Sequence, residues 1–406
     1  MSPVSRRQSL ACLAASAASA LGLAPQPAQA SAQAWTRVLE QARGQTVYFN
    51  AWGGAPTINA FIEWAGEQLL RRFGVRLVHV KVSDAADVVK RVRNEKAAGK
   101  ADGSVDLVWI NGENFLTMKR EALLFGPFAE QLPSFAYVDT AGKPTTRIDF
   151  SEPVDGMEAP WGMAQLTFMA DAKRVPHPPR DLEAWLTFAT QHPGRCTYPR
   201  PPDFHGTTFI KQMLLDLTPK AQHGVFYLPV QTEEFARMSA PLWRSLEAVH
   251  PSLWRQGRQF PNSAATQRQM MSDGELLMGL TFNPNEVANE IAANRLAAST
   301  VSFQFSGGTI GNTHFLAIPV NARSSAGAQV VANFFLSPQA QARKADIAIW
   351  GDPTVLDVRR LAPADQSSFK TKLQAGQLSA SAPTLPEPHG SWVQPLEQEW
   401  LRRYGG

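Results

Sequence analysis

The chain has 406 residues, with 39 Lys and Arg against 35 Asp and Glu and a formal net charge of +4. A balance this close to neutral, with the basic residues scattered, gives no basis for nucleic-acid binding. Of the two cysteines, Cys12 falls in the leader described next, and Cys196 alone builds neither a disulfide framework nor a cysteine zinc site.

Ser5-Arg6-Arg7 supplies a positive start, Leu10 to Leu23 is Ala-rich and mildly apolar, and Ala28-Gln29-Ala30 is a small-x-small site. Residues 1–30 therefore read as an export signal cleaved after Ala30, which predicts a periplasmic product in a cell with two membranes. The order Ser-Arg-Arg-Gln-Ser-Leu suits the twin-arginine route as well as the general one. Beyond the leader, no apolar run reaches the roughly 18 residues that span a bilayer.

Thr46 to Phe49 predicts a short strand, and Pro56 suits a first helical turn. Ile58, Phe61, Ile62, Ala65, Leu69 and Phe73 then recur at helical spacing, and Gly74 closes the helix. Val75 to Val82 predicts a second strand, Ser83 a cap for the next helix, and Asp106 to Ile110 a third strand with a helix near Phe115 to Leu124. Such alternation marks a parallel sheet with helical crossovers. Ala159 to Asp171 reads as one extended segment, and a proline-heavy passage runs from Pro176 to Pro202. Helical pattern returns at Thr207 to Leu217, Glu233 to Val249 and Ser324 to Leu336; Gly274 to Pro284 is strand then turn, and Gly311 to Ala322 is extended.

The layout predicts an α/β fold of two lobes. Residues 31–163 form lobe 1, with 305–340 returning to it. Residues 164–304 form lobe 2, with 341–406 packing largely on it. Open α/β sheets bind ligands beyond the carboxyl ends of their strands. Trp52 and Gly53 lie there, between the first strand and the first helix, where glycine permits close approach. No nucleophile elbow, His-Glu-x-x-His or Walker loop is present, and the eight histidines show no i, i+4 metal pair.

Eleven tryptophans are informative by position. Trp64, Trp185 and Trp243 fall in helical pattern and Trp109 inside a strand, so these read as core. Trp52, Trp161 and Trp350 sit at loop or strand-end positions and are candidate ligand walls, since aromatic faces stack on flat rings and attract organic cations. Glu113, Asp203 and Asp352 occur in loops aimed at the same edge; each could equally be a solvated acid or a helix cap. Asn111, Asn283, Asn312 and His314 could add hydrogen bonds there. An exported hydrolase using Asp203 and His205, or a structural module without a small ligand, are the alternatives.

Six segments together carry a resemblance: "VYFNAWGG", "DLVWINGENF", "APWGMAQLTFMAD", "GELLMGLTFNPNEV", "HFLAIPVNA" and "VVANFFLSPQAQ". Through nearly the whole mature chain the sequence resembles the extracellular solute-binding proteins of ABC importers, in the class of polyamine, thiamine and iron binders. "KADIAIWGDPTVLD" is similar to the YnjB-type branch, labelled as thiamine-transport binding proteins. The resemblance implies a type II periplasmic-binding fold, two α/β lobes joined by extended hinge crossings that close on a small organic solute. It implies an ABC permease with its ATPase as partner, contact with the membrane only through that transporter, a monomer, and neither cofactor, metal nor catalysis.

The polyamine binders place a ligand-packing tryptophan where Trp52 stands. Their acidic residue two places before Leu-Ala-Ile-Pro is His314 here, which weighs against a polyamine. Adjacent tyrosines, the iron ligands of that class, do not occur among the five tyrosines. A flat, partly cationic molecule such as thiamine fits the remaining aromatic and amide set.

Overall fold

Strand β1 (Thr46–Trp52) alternates, and Val47, Phe49 and Ala51 are fully buried on one face of the sheet. The computed structural model describes residues 27–370, 372–378 and 381–405, so most of the stretch expected to be an export signal lies outside the described residues. Helix α1 (Pro27–Ala42) precedes β1, and α2 (Pro56–Phe73) follows it with Pro56 in its first turn. Gly74, at φ 68°, ends α2 in the left-handed conformation and donates its N–H to Leu70 O. Then come β2 (Arg76–Val82), α3 (Ala85–Ala97), β3 (Leu107–Ile110) and α4 (Gly112–Arg120). The cap of α3 is Asp84 rather than the expected Ser83: its carboxylate accepts the Ala86 N–H at 2.8 Å. Both β2 and β3 pair parallel with β1, so three carboxyl ends line one edge.

The segment expected to be one extended run breaks at Leu166 into β4 (Glu158–Gln165) and β5 (Thr167–Asp171), which belong to different sheets. Lobe 2 continues with α5 (Leu182–Gln191), α6 (Phe204–Asp216), α7 (Thr232–Val249), α8 (Ala264–Ser272), β6 (Met278–Thr281), α9 (Glu286–Ala292) and β7 (Thr300–Phe303). Here β5 is central and antiparallel to both β6 and β7. Helix α5 falls inside the proline-heavy passage and carries Trp185, which the sequence reading placed in helical pattern.

Strand β8 (Thr309–Ala317) joins the lobes. It pairs antiparallel with β4 from Gly311–Gln165 to Ala317–Glu158, and with β3 through Phe315 to Ala317. One end of this ladder packs in the lobe 2 core through Ala164 and Ile310; the other packs in the lobe 1 core through Ala159, Trp161 and Leu316. Helices α10 (Ser325–Phe335), α11 (Pro338–Ala345), α12 (Pro363–Ser367) and α13 (Val393–Tyr404) follow.

The expected placement of 341–406 is corrected in part. Trp350, Val355, Leu356 and Leu361 belong to the lobe 1 core, because α11 is tied there: Gln341 donates to Trp161 O at 2.7 Å. The later part packs on lobe 2: Gly376 accepts from Ser302, Ala382 donates to Gln304, and Trp392, Leu396 and Trp400 enter the core.

Trp161 explains much of the lobe 1 core. His314 pairs with Gly162 and Phe315 with Pro160, so Trp161 is the extra residue of a β-bulge. Its ring stacks on Phe335 at 5.1 Å and meets Trp109 edge-on at 5.0 Å. With no exposed surface, it should behave as a large core residue. Trp161→Ala is expected to cost about 3–5 kcal/mol of stability in urea unfolding; a loss under about 1 kcal/mol would contradict this assignment.

Candidate functional site

Trp52 is the last residue of β1 and is 38% exposed. Its indole lies over Gly54, where any side chain would strike the ring. Asp84, just past β2, and Glu113, just past β3, lie on the same edge of the sheet. Gly112, at φ 58°, turns the chain into α4 and donates its N–H to Asp149 Oδ2 at 2.6 Å. A Cβ there would meet the Phe150 ring, so glycine is required on two counts. Glu113 follows in the first turn, accepting from Asn114 Nδ2 at 2.9 Å.

Lobe 2 faces this edge with α6. Asp203 caps that helix by accepting from the N–H groups of His205 and Gly206. Phe204 follows with 39% exposure, and Thr207 and Lys211 lie one turn apart beyond it. Lys211 donates to Glu387 Oε2 at 2.6 Å, both side chains being almost solvent-free. Its Nζ also stands 4.3 Å from the centre of the Phe150 ring of lobe 1. Glu387 Oε1 accepts from Asn312 Nδ2 on β8 at 3.0 Å. A buried ion pair is tolerated when further hydrogen bonds satisfy it, and here they come from the hinge strand.

Glu387 also opens a third connection between the lobes. Its carbonyl accepts from Ser151 Oγ at 2.8 Å, and Gly390 donates to Phe150 O at 3.2 Å, both on lobe 1. His389 donates its N–H to Phe226 O of lobe 2 at 2.8 Å. Gly390 lies so close to the Glu113 N–H that a Cβ would be 3.0 Å from it. From α13, Glu397 Oε1 accepts from Thr207 Oγ1 at 2.7 Å.

The electrostatics follow from this crowding. Desolvation lifts the Glu113 carboxyl to about 7; Lys211 pulls it down, while Asp84 and Glu387 push it up. Burial likewise lifts Glu397 to about 7, with Glu113 and Asp84 adding repulsion. Lys211 is bonded to Glu387, so among the described residues these two carboxyls have no cation bonded to them.

Of the residues singled out in the sequence, Glu113 and Asn312 come together here, with Trp52 on the same edge as Glu113. Trp161 and Trp350 are corrected: both rings are built into the lobe 1 core, with Trp350 only 4% exposed, because the bulge and α11 turn them inward. Asn111 donates to Thr313 O at 2.8 Å and Asn283 to Trp350 O at 3.3 Å, so both side chains fasten backbone. Asp352 bonds His314 Nε2 at 2.8 Å and pairs with Lys344. Burial alone would raise its carboxyl, but the His314 and Lys344 charges outweigh that and hold it low. Gly53 fastens the loop, its carbonyl accepting from Asn59 Nδ2 at 3.0 Å. Asp203, the acid of the hydrolase alternative, is the helix cap described above. Phe204, Lys211, Glu387 and Glu397 went unrecognised. For Glu397 a signal existed in Val393, Leu396 and Trp400 at helical spacing, with Glu399 and Arg403 four apart.

Two lobes, hinge strands shared between them and a polar site at their junction define a clamp for a small solute. Residues 64–371 match the family described as Bacterial extracellular solute-binding protein, and the chain belongs to that family. It is 48% identical to "Protein YnjB" of Escherichia coli (strain K12) over 372 residues, 91% of this chain and 94% of that one. The fold is that of type II periplasmic binding proteins. It matches the periplasmic binding protein AfuA from Actinobacillus pleuropneumoniae, solved with fructose-6-phosphate, at TM-score 0.60 and 11% identity, covering 89% of this chain and 99% of that one. It also matches the spermidine/putrescine transporter substrate-binding protein PotD from Streptococcus pneumoniae at TM-score 0.57 and 11% identity, covering 89% and 98%. Among the described residues no helix is long and apolar enough to cross a membrane.

Beneath the site lie two further acids. Asp149 Oδ1 and both Glu158 carboxyl oxygens are buried without a hydrogen-bond partner among the described residues. Burial pushes both carboxyls well above their ordinary values; repulsion from Glu113 and Glu387 adds to it for Asp149, and repulsion from Asp149 for Glu158. The folded chain therefore holds protons that the unfolded chain releases. That stability is fully present below the ordinary carboxylate range and is lost as pH rises through the raised values. Glu158→Gln should match the native protein in urea unfolding at pH 4.5 and exceed it at pH 8; equal stability at both would refute the neutral acid.

Proposed function

We propose that this substrate-binding component of an ABC transporter takes a small organic cation, thiamine-like in pairing a flat ring with positive charge. The exported chain works as a monomer in the periplasm and hands the solute to a membrane permease with its ATPase. The observation that carries the reading is the junction itself: the exposed rings of Trp52 and Phe204 accompany Asp84, Glu113 and Glu397, with Lys211 neutralised by Glu387. Exposed aromatic faces beside uncompensated carboxyls suit a cation that also stacks. The differing ligands named for AfuA and PotD mean that the fold alone does not choose one.

Closure brings the second lobe onto a solute held by the first and excludes water from the carboxyls, which strengthens each contact. The chemistry is recognition and release, with no bond made or broken.

Titration calorimetry with thiamine, thiamine monophosphate, choline and spermidine tests the reading. At least one should bind tighter than about 1 mM, roughly 4 kcal/mol. Trp52→Ala should weaken it by about 2- to 30-fold, the range of one cation–π contact. Failure of all four to bind would overturn the organic-cation reading.

A further inference from the structure

The last helix brings an acid, Glu397, to a junction where lobe 1 presents Glu113 and Asp84. Glu397 is anchored through one oxygen to Thr207, one turn before Lys211 on α6. Glu113 is anchored through one oxygen to Asn114, and its backbone N–H abuts Gly390 of the C-terminal segment. The charged groups around the two are Lys211 on α6, Asp84 at the cap of α3, Glu387 on the C-terminal segment and Asp149 beneath Gly112. Of these only Lys211 is cationic, and it is bonded to Glu387.

Asn312 supplies an independent observation. The residue is 95% buried (5% exposed), its Nδ2 is committed to Glu387, and its Oδ1 has no donor among the described residues. Through Glu387 this acceptor belongs to the same network as Lys211, one turn from the Thr207 that holds Glu397, and an acceptor without a donor asks for an N–H group.

We propose that Glu113 and Glu397, one carboxyl from each lobe, are the specificity-determining pair of this site and clamp a protonated or quaternary nitrogen of the solute between them. The proposal rests on the organic-cation reading above and names the residues that enforce it. A cation seated there stabilises both carboxylates, so protons held by the empty site leave when the solute arrives. Asn312 Oδ1 adds selectivity for a nitrogen that still bears hydrogen. A neutral or anionic solute would leave the pair unanswered.

Calorimetry on the whole mature chain at pH 7, in phosphate and in Tris, separates proton release from binding heat. The probe is whichever of thiamine, choline and spermidine binds tightest. The native protein should release between about 0.5 and 1 proton per solute, from two groups each near half-protonated. Glu397→Gln and Glu113→Gln should each lower affinity at least tenfold and each remove about half of the released protons. Glu397→Asp keeps the charge and should keep the proton release while binding less tightly; it also serves if the Gln variant fails to fold, as checked by thermal unfolding. Native-like affinity and proton count in both Gln variants would overturn the pair while leaving the cation reading standing. If none of the three cations binds the native protein, the reading and the pair fall together.

Discussion

The architecture depends on one antiparallel ladder, β4 against β8, that belongs to both halves of the molecule. Its residues are almost all buried, so its backbone hydrogen bonds have no water to fall back on and cannot be surrendered as the lobes move. Relative motion must therefore bend the pair rather than part it. The bulge at Trp161 concentrates twist at one point of the ladder and anchors it in lobe 1 through stacked aromatic rings. Through Ala164 and Ile310 the other end is equally fixed in lobe 2.

Charge at the junction is arranged in two tiers. Lys211 and Glu387 form a closed account, with the ammonium also resting on the Phe150 face and the carboxylate held by Asn312. Such a pair organises the interface more than it stabilises it, since desolvation offsets most of the Coulomb attraction. Glu113 and Glu397 form the open tier, poised near neutrality because burial and repulsion from neighbouring acids oppose ionisation, Asp84 and Glu387 acting on Glu113 and Glu113 and Asp84 on Glu397. The aromatic rings at the same place give an incoming solute an apolar surface next to that unsatisfied charge.

Much of lobe 1 was legible from local signals. Pro56, the spacing from Ile58 to Phe73, and Gly74 specify α2 from start to stop, and the exposed Trp52 follows from its place between a strand and two glycines. The resemblance supplied the family. Facing was not legible. Trp161 and Trp350 occur at chain positions like that of Trp52, but a bulge and a helix tether rotate them inward, and neither leaves a local signature. The Lys211–Glu387 pair joins residues 176 apart, and periodicity says nothing about contacts at that range. Asp84 took the cap from Ser83 because two adjacent side chains can serve and only backbone geometry chooses. Acids such as Asp203 and Asp352 meet purely internal needs, capping a helix and answering Lys344.

The route of the C-terminal segment sets an order of events for a chain that emerges amino end first. Apart from the two-residue edge strand Thr384–Leu385, the main sheet of each lobe is assembled once β8 has formed, by about residue 317. The junction at that stage lacks Glu387, the abutting Gly390 and all of α13, and Lys211 is left as a solitary ammonium beside an aromatic ring. A nascent clamp of this kind holds that ammonium with only part of its acids, those of Asp84 and Glu113. The junction takes its final arrangement of charge only when Glu387 and α13 dock, so the two lobes can be built before the surface between them is finished.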